Sequence, residues 1–550
     1  MSTLGRRTAA AIARRRLVRA LSVTLLLAFA AAAYGAALGP PASGGPLRVR
    51  HYALDLSFDV GSSAIHGNVA IQLVWRPPTP ARLSLDMAPN LSARAVSIDG
   101  RSATFFRRGS KLIVEVPAGA ADGSVHALRI VYAGTPGTPH LRFDTVAGKP
   151  AIASYGMPYS AGSWWPTFDE PSSKATAGAD ITIVAPPGDS AVSNGVLADA
   201  HKMPDGSTRY HWRESYPIYP DVISVAIGPY TEIRSEYRSI SGRRIPLTYY
   251  VYAADARKAQ SELADVPRLL RTYESLFGPY PFQADKYGIV EMTIPSFREH
   301  QTIPSLGRGL ILGTSPVWDL GDVSNVIAHD LAHQWFGDSL TPRQWSDVWL
   351  NEGFANYAVA LWHERQGGDA ALRQFMRSLD TGPFQGPVYL PPGSAPGALL
   401  TDTTFNKGAW ILHMLRHVMG DARYFASVRD YVRSGRGGLV DTHGWIAVCE
   451  RHYGRSLTWF FNEWLYGEGR PALRLAWHDS EREPGKVSII IKQMQPGRAF
   501  EMPADLEIQT SAGSQLRTVW LRGRTQELTL TESRPVSRVL LDPDGWLLKR

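Results

Sequence analysis

One cysteine, Cys449, occurs in 550 residues, so no disulfide can form within the chain and stability must come from buried core. Acidic residues and lysine are missing before residue 40, where the charges are Arg6, Arg7, Arg14, Arg15, Arg16 and Arg19. Those six arginines take most of the formal net charge of +8 and leave the remainder of the chain at +2. A balance that small leaves no nucleic-acid footprint to explain. Internal repeats and long low-complexity stretches are also lacking. With 44% hydrophobic and 20% charged residues, the composition is that of a globular protein and excludes wholesale disorder. The length exceeds what one hydrophobic core supports, so several domains are expected.

One long run is both apolar and uncharged: ALSVTLLLAFAAAAYGAAL, residues 20–38. Arginines precede it and PPASGGP follows it. Together they describe an export signal, with small residues near Ala33 and Ala37 suited to cleavage. ARRRLVR (13–19) also has the form of a twin-arginine signal. The run is long enough to stay in a bilayer instead. Residues 1–39 are therefore expected to direct export to a cell envelope or periplasm, cleaved or kept as a membrane anchor through residues 20–38. Residues 40–47 are expected to be a linker.

From Arg48 onward HYALDLSFDV, NVAIQLVW and KLIVEV alternate apolar and polar residues. That alternation predicts an antiparallel sheet with one buried face over residues 48–238. Near residue 255 the period changes. RKAQSELADVPRLLRTYESLF sets Ala259, Leu263, Val266, Leu270 and Tyr273 at helical spacing, and helix-like segments then dominate residues 239–470. Alternation returns in KVSIIIKQM, DLEIQT and RVLLD, which predict a small sandwich over 471–550.

The residues with chemistry lie in SNVIAHDLAHQWFGD (324–338). Four residues make slightly more than one helical turn, so His329 and His333 project from one face and can direct ring nitrogens at one ion. Fifteen histidines give only about 0.4 such pairs by chance in a chain of this length. WLNEGFANYA adds Glu352, nineteen residues beyond His333, as a third ligand. Two histidines and a carboxylate hold one zinc ion and leave a position open for water or substrate. A second pair at the same spacing, His413 and His417, has Arg436 where the carboxylate would stand and reads as packing.

These motifs resemble the M1-type gluzincin aminopeptidases, the family that includes membrane alanyl aminopeptidase. SWWPTFDEPSSKA (163–175), LFGPYPF (276–282), HQWFGDSLTP (333–342), WSDVWLNEGFANY (345–357), FNKGAWILHMLR (405–416) and LTWFFNEWLYGEGRP (457–471) resemble family landmarks in family order. The resemblance covers residues 48–550. It implies a multidomain α+β protein: an N-terminal β-saddle, a thermolysin-like catalytic domain with one zinc ion, and a C-terminal immunoglobulin-like β-sandwich. It also implies that the protein acts on the N-termini of peptides.

The resemblance further implies which residues act, and here the chain departs from the family. Asp330 stands where the family has glutamate, the general base for the attacking water. It keeps the charge but is one methylene shorter. Phe405 stands at the family tyrosine that donates a hydrogen bond to the oxyanion, so that hydroxyl is missing. SFREHQT (296–302) corresponds to the exopeptidase element, with Glu299 at the glutamate that holds the substrate's α-amine. Ser296 replaces its glycine and Arg298 its methionine, so the peptide-binding edge is expected to be altered. Two functions follow from these residues: a zinc aminopeptidase of reduced activity, or a zinc-binding pseudo-peptidase that holds peptides or a protein partner without turnover.

Overall fold

In the first strand, Leu47–Asp59, the alternate residues Tyr52, Leu54 and Leu56 are 1% exposed or less. A period of two puts them on one face of a pleated sheet. The structure is a computed structural model and describes residues 47–550 apart from 76–77, 118–122, 138–139, 157, 295, 316–319, 481–482 and 484–485. The apolar run at 20–38 lies outside the described residues. Among the described residues, no helix is long and apolar enough to cross a membrane.

This strand belongs to an eight-stranded sheet in the order Val196–Lys202, Thr208–Glu214, Ala179–Ala185, Leu47–Asp59, Ala64–Trp75, Val125–Gly134, Leu91–Ile98, Arg101–Ser102. The expectation of an antiparallel sheet needs one correction. Leu47–Asp59 runs parallel to Ala179–Ala185, with Tyr52 opposite Ala179. Parallel neighbours need a long crossover, and local turn signals cannot reveal one.

Tyr230–Arg238 and Arg244–Tyr252 form a hairpin, whose turn contains residue 239, where the helix-like region was expected to begin. The hairpin opens a five-stranded sheet that continues through Tyr287–Met292 and Ser305–Gly307 to an edge strand, Phe297–Arg298. The sequence shows no sign of Tyr287–Met292 because all six residues are buried. A strand covered on both faces has no alternation to read.

The helix expected over residues 257–277 is two helices, Ala256–Glu262 and Val266–Phe277. Pro267 lacks the amide that would continue the first and suits the opening turn of the second. The apolar positions that the spacing singled out are all buried.

Helix Val323–His333 packs on Trp349–Ser378, which packs in turn on Gly408–Met419. Phe336 and Phe354 stack with centroids 4.2 Å apart and 7° between planes, clamping the end of the first helix to the start of the second. Where the second and third helices cross, a Cβ on Gly353 would lie 3.0 Å from the Gly408 carbonyl carbon. Neither glycine admits a side chain unless the helices part.

Two antiparallel three-stranded sheets follow, Leu473–Asp479/Lys486–Gln493/Thr525–Thr531 and Gly513–Leu521/Met502–Thr510/Val536–Leu541. Ile489 of one and Leu506 of the other share the same buried core. His413 and His417 stack on Trp546, with centroids 4.5 and 5.0 Å apart, and pack the C-terminal segment against Gly408–Met419. The molecule is thus a multidomain α+β protein with a β-rich N-terminal domain and a helical domain.

Candidate metal centre

Helix Val323–His333 opens on Asp322, whose carboxylate accepts hydrogen bonds from the amides of Ser324 (2.7 Å) and Asn325 (3.2 Å). One turn from its other end, His329 and His333 bring their Nε2 atoms to 3.0 Å. Glu352 stands in the first turn of Trp349–Ser378 and sets its Oε2 3.5 Å from His329 Nε2 and 3.4 Å from His333 Nε2. Among the described residues, these three form the one group of His, Cys, Asp or Glu side chains close enough to share an ion.

Does the group fit zinc? Tetrahedral coordination at zinc–ligand distances of about 2.0–2.1 Å puts ligand atoms about 3.3–3.4 Å apart. The three observed separations bracket that value. The Nδ1 atoms face the side-chain oxygen of Asn356 (2.8 Å) and the carbonyl of Phe336 (3.0 Å). Both partners only accept, so the Nδ1 atoms carry the protons and two Nε2 lone pairs converge with a carboxylate oxygen. A cation relieves that convergence. Where no cation stands, a proton on His333 Nε2 meets the same need: burial lowers that ring, but the Glu352 carboxylate outweighs it and pushes it up to about 10. Burial raises Glu352, but the charge so placed on His333 outweighs it and holds the carboxyl below its usual range. The residues fit zinc.

Behind His329 stands a relay. Asn356 Nδ2 donates to Asn406 Oδ1 at 2.9 Å, which leaves Asn356 Oδ1 turned to the histidine. Asn406 sits in a π-helical turn, Thr403–Lys407, that the Gly353–Gly408 contact draws against the glutamate helix. Neither asparagine stood out in the sequence. Asn356 lies four residues beyond Glu352, and that spacing was the available signal.

A cavity of about 310 Å³ opens beside the group, lined by His329, Glu352, Glu299, Arg298, Ser296 and Phe405 among others. Phe405 faces His329 with 6.1 Å between centroids and 22° between planes. Ser296 is buried, and its carbonyl accepts from the Gly307 amide at 2.8 Å. Arg298 lays its guanidinium over Tyr155, 4.2 Å from the ring centroid. Asp330 differs from these. It is buried, its Oδ1 has no hydrogen-bond partner, and it is not one of the residues lining the cavity. Burial, and then the charge of Glu299, push it well above the usual carboxylate range.

Two family models match the chain: the peptidase M1 N-terminal domain over residues 48–219 and the peptidase family M1 domain over residues 263–464. Together they cover more than half of it. The chain belongs to peptidase family M1. Aminopeptidase B of Mus musculus is 28% identical over 63% of this chain, and the chain spans 53% of that relative's length. Among solved structures, an M1 zinc metallopeptidase from Deinococcus radiodurans superposes with a TM-score of 0.67 at 24% identity, covering 77% of this chain and 95% of that one. Legionella pneumophila aminopeptidase A, in complex with aspartic acid, superposes with a TM-score of 0.78 at 16% identity, covering 93% and 60%. At such identities the two structures speak to the fold. M1 membership points to zinc as the cofactor, and the His329–His333–Glu352 group is one that could hold it.

Proposed function

We propose that this protein is a zinc-dependent aminopeptidase that removes residues from the N-termini of peptides, at a rate held down by Asp330 and Phe405. The observation that carries the reading is that Glu299 lines the same cavity as His329 and Glu352, two members of the His329–His333–Glu352 group. Zinc, when bound, supplies Lewis acidity that polarises the scissile carbonyl and acidifies water. The chain's own residues do the rest. Glu299 accepts hydrogen bonds from the substrate's α-ammonium group, which restricts cleavage to the first peptide bond. Phe297–Arg298 is the edge strand of its sheet and can receive the peptide backbone as a further strand. Asp330 takes the proton of the attacking water.

Two features slow this chemistry. An aspartate reaches about 1 Å less far than a glutamate, and misplacement of that size costs on the order of 100-fold. A missing oxyanion donor costs about 10²–10³ in turnover. Losses within one catalytic unit do not simply add, so the product of the two is an upper limit.

The second reading, a zinc-binding pseudo-peptidase that holds peptides or a partner, draws on the shortened side chain of Asp330 and the missing hydroxyl at Phe405. One experiment separates the two. Residues 40–550 are purified, bound zinc is measured, and aminoacyl arylamides are assayed beside Asp330→Glu, Phe405→Tyr and the double change. Turnover by the unmodified chain that Asp330→Ala abolishes supports the peptidase. Activity in the double change alone supports the pseudo-peptidase.

Two finer points belong to the same proposal. The arginine-rich start and the apolar run at 20–38 support export, with the zinc domain outside the cytoplasm. The two C-terminal sheets support an immunoglobulin-like sandwich, beside a β-saddle and a thermolysin-like domain.

A further inference from the structure

Phe405 leaves the site without the hydroxyl that its position usually supplies. Another group on the cavity wall can take over only if it carries a donor free to face the substrate. Asp221 and His300 fail that test. Both line the cavity, yet the Asp221 oxygens and His300 Nε2 are sealed from solvent within the wall. Tyr155 lies beneath the Arg298 guanidinium.

Tyr219 passes. It comes from the N-terminal β-rich region, immediately before the short helical turn Pro220–Val222, and lines the cavity with His329, Glu299 and Glu352. Its ring is held edge-on by Trp345, with centroids 6.4 Å apart and 67° between planes. The residue is only 1% exposed. Its hydroxyl has no hydrogen-bond partner among the described residues and is not sealed from solvent. The cavity that Tyr219 lines is the open space through which a partner for that hydroxyl can arrive. Burial, Asp338, Glu299, Asp221 and Glu352 all push Tyr219 well above the ordinary tyrosine range. It therefore stays protonated, and a donor, at neutral pH. A buried tyrosine hydroxyl usually finds a partner. One left open in an active-site wall points to a partner that arrives with the substrate.

We propose that the Tyr219 hydroxyl donates to the oxyanion that develops on the scissile carbonyl, the hydrogen bond that Phe405 does not provide. No bond to Tyr219 is made or broken and the proton stays on the phenol. The stabilisation is that of a preoriented donor in a site shielded from water. This inference rests on the aminopeptidase reading above.

The test uses the zinc-loaded full chain and two ligands. Leucinamide represents the substrate with its free amine, and the phosphonic acid analogue of leucine presents tetrahedral anionic oxygens. Affinities are measured by calorimetry, so turnover is not required. Tyr219→Phe is expected to weaken the phosphonate at least tenfold more than the amide. In a Phe405→Tyr background the same change is expected to cost much less, because either hydroxyl then serves. Zinc content and melting temperature are followed in each variant, with Tyr219→Leu as a second substitution should Tyr219→Phe fold poorly. Equal loss for both ligands, or the same loss in either background, overturns the inference and leaves the aminopeptidase reading standing. Failure of leucinamide to bind the unmodified zinc-loaded chain overturns that reading, and this inference with it.

Discussion

The ring of Phe405 lies nearly parallel to the His329 imidazole, 6.1 Å between centroids and 22° between planes. A hydroxyl added to that ring therefore enters a wall that already contains a zinc ligand. Once Tyr219→Phe has removed the donor proposed above, Phe405→Tyr is expected to raise kcat on leucyl arylamide by about 10–100-fold with little change in KM, because a donor to the oxyanion acts in the transition state. Asp330→Glu adds a second gain by lengthening the base. Steady-state kinetics of the two single changes and the double change check this. Unaltered kcat on adding Phe405→Tyr to Tyr219→Phe would show that the oxyanion lies elsewhere.

The hydrogen bond from His329 Nδ1 to Asn356 fixes which ring nitrogen is free for the metal. Removing it with Asn356→Ala is expected to weaken zinc about 10–100-fold while keeping one ion per chain. Glu352→Ala removes a ligand outright and is expected to abolish stoichiometric binding. Chelator competition followed by metal analysis distinguishes the two. Equal affinity in Asn356→Ala and the unmodified chain would refute the orienting role.

His300 is buried beside the cavity. Its Nδ1 lies 2.7 Å from Ser305 Oγ, and its Nε2 has no partner. Burial first, then the Arg298 charge, pull it down to about 3. The unfolded chain takes up a proton near pH 6.5 and the folded chain does not. Its contribution is therefore complete above about pH 6.5 and is lost as pH falls toward 3, at up to about 1.4 kcal/mol per pH unit. His413, likewise pulled down to about 3 by burial and Arg416, acts with the same sign. Melting temperature is expected to fall between pH 6.5 and 4.5, and His300→Gln is expected to flatten that slope. An identical slope in the variant would count against the assignment.

Trp546 is held between two histidines of one helix and faces the Arg416 guanidinium at 5.7 Å. Trp546→Ala is expected to cost about 2–3 kcal/mol, less than a fully buried tryptophan because this one is only partly buried. Denaturant unfolding measures the loss. Zinc stoichiometry is expected to stay at one, since Trp546 touches no ligand. Loss of zinc in that variant would mean the C-terminal segment supports the metal site directly.

Much of this was legible from short-range spacing. The turn from His329 to His333 and the carboxylate at Glu352 sit on helices whose period brings them into register, and the structure brings all three together. Alternating strands were legible for the same reason. Tyr287–Met292 was not, because burial on both faces erases the pattern. Asn356 and Asn406 lie inside motifs that were recognised, yet nothing in a helix period says that one asparagine orients another against a histidine.

Residue type and interval were enough to single out His329, His333 and Glu352 as candidate ligands and the kinds of element that carry them, and the family resemblance to single out Asp330 and Phe405 as departures. Those are local properties, written in residue type and interval. Tertiary structure alone decided that Phe405 faces His329 and that Tyr219, 110 residues before His329, lines the same cavity. Contacts between distant segments depend on strand order and on the closeness of helices at Gly353 and Gly408, and no interval along the chain encodes them.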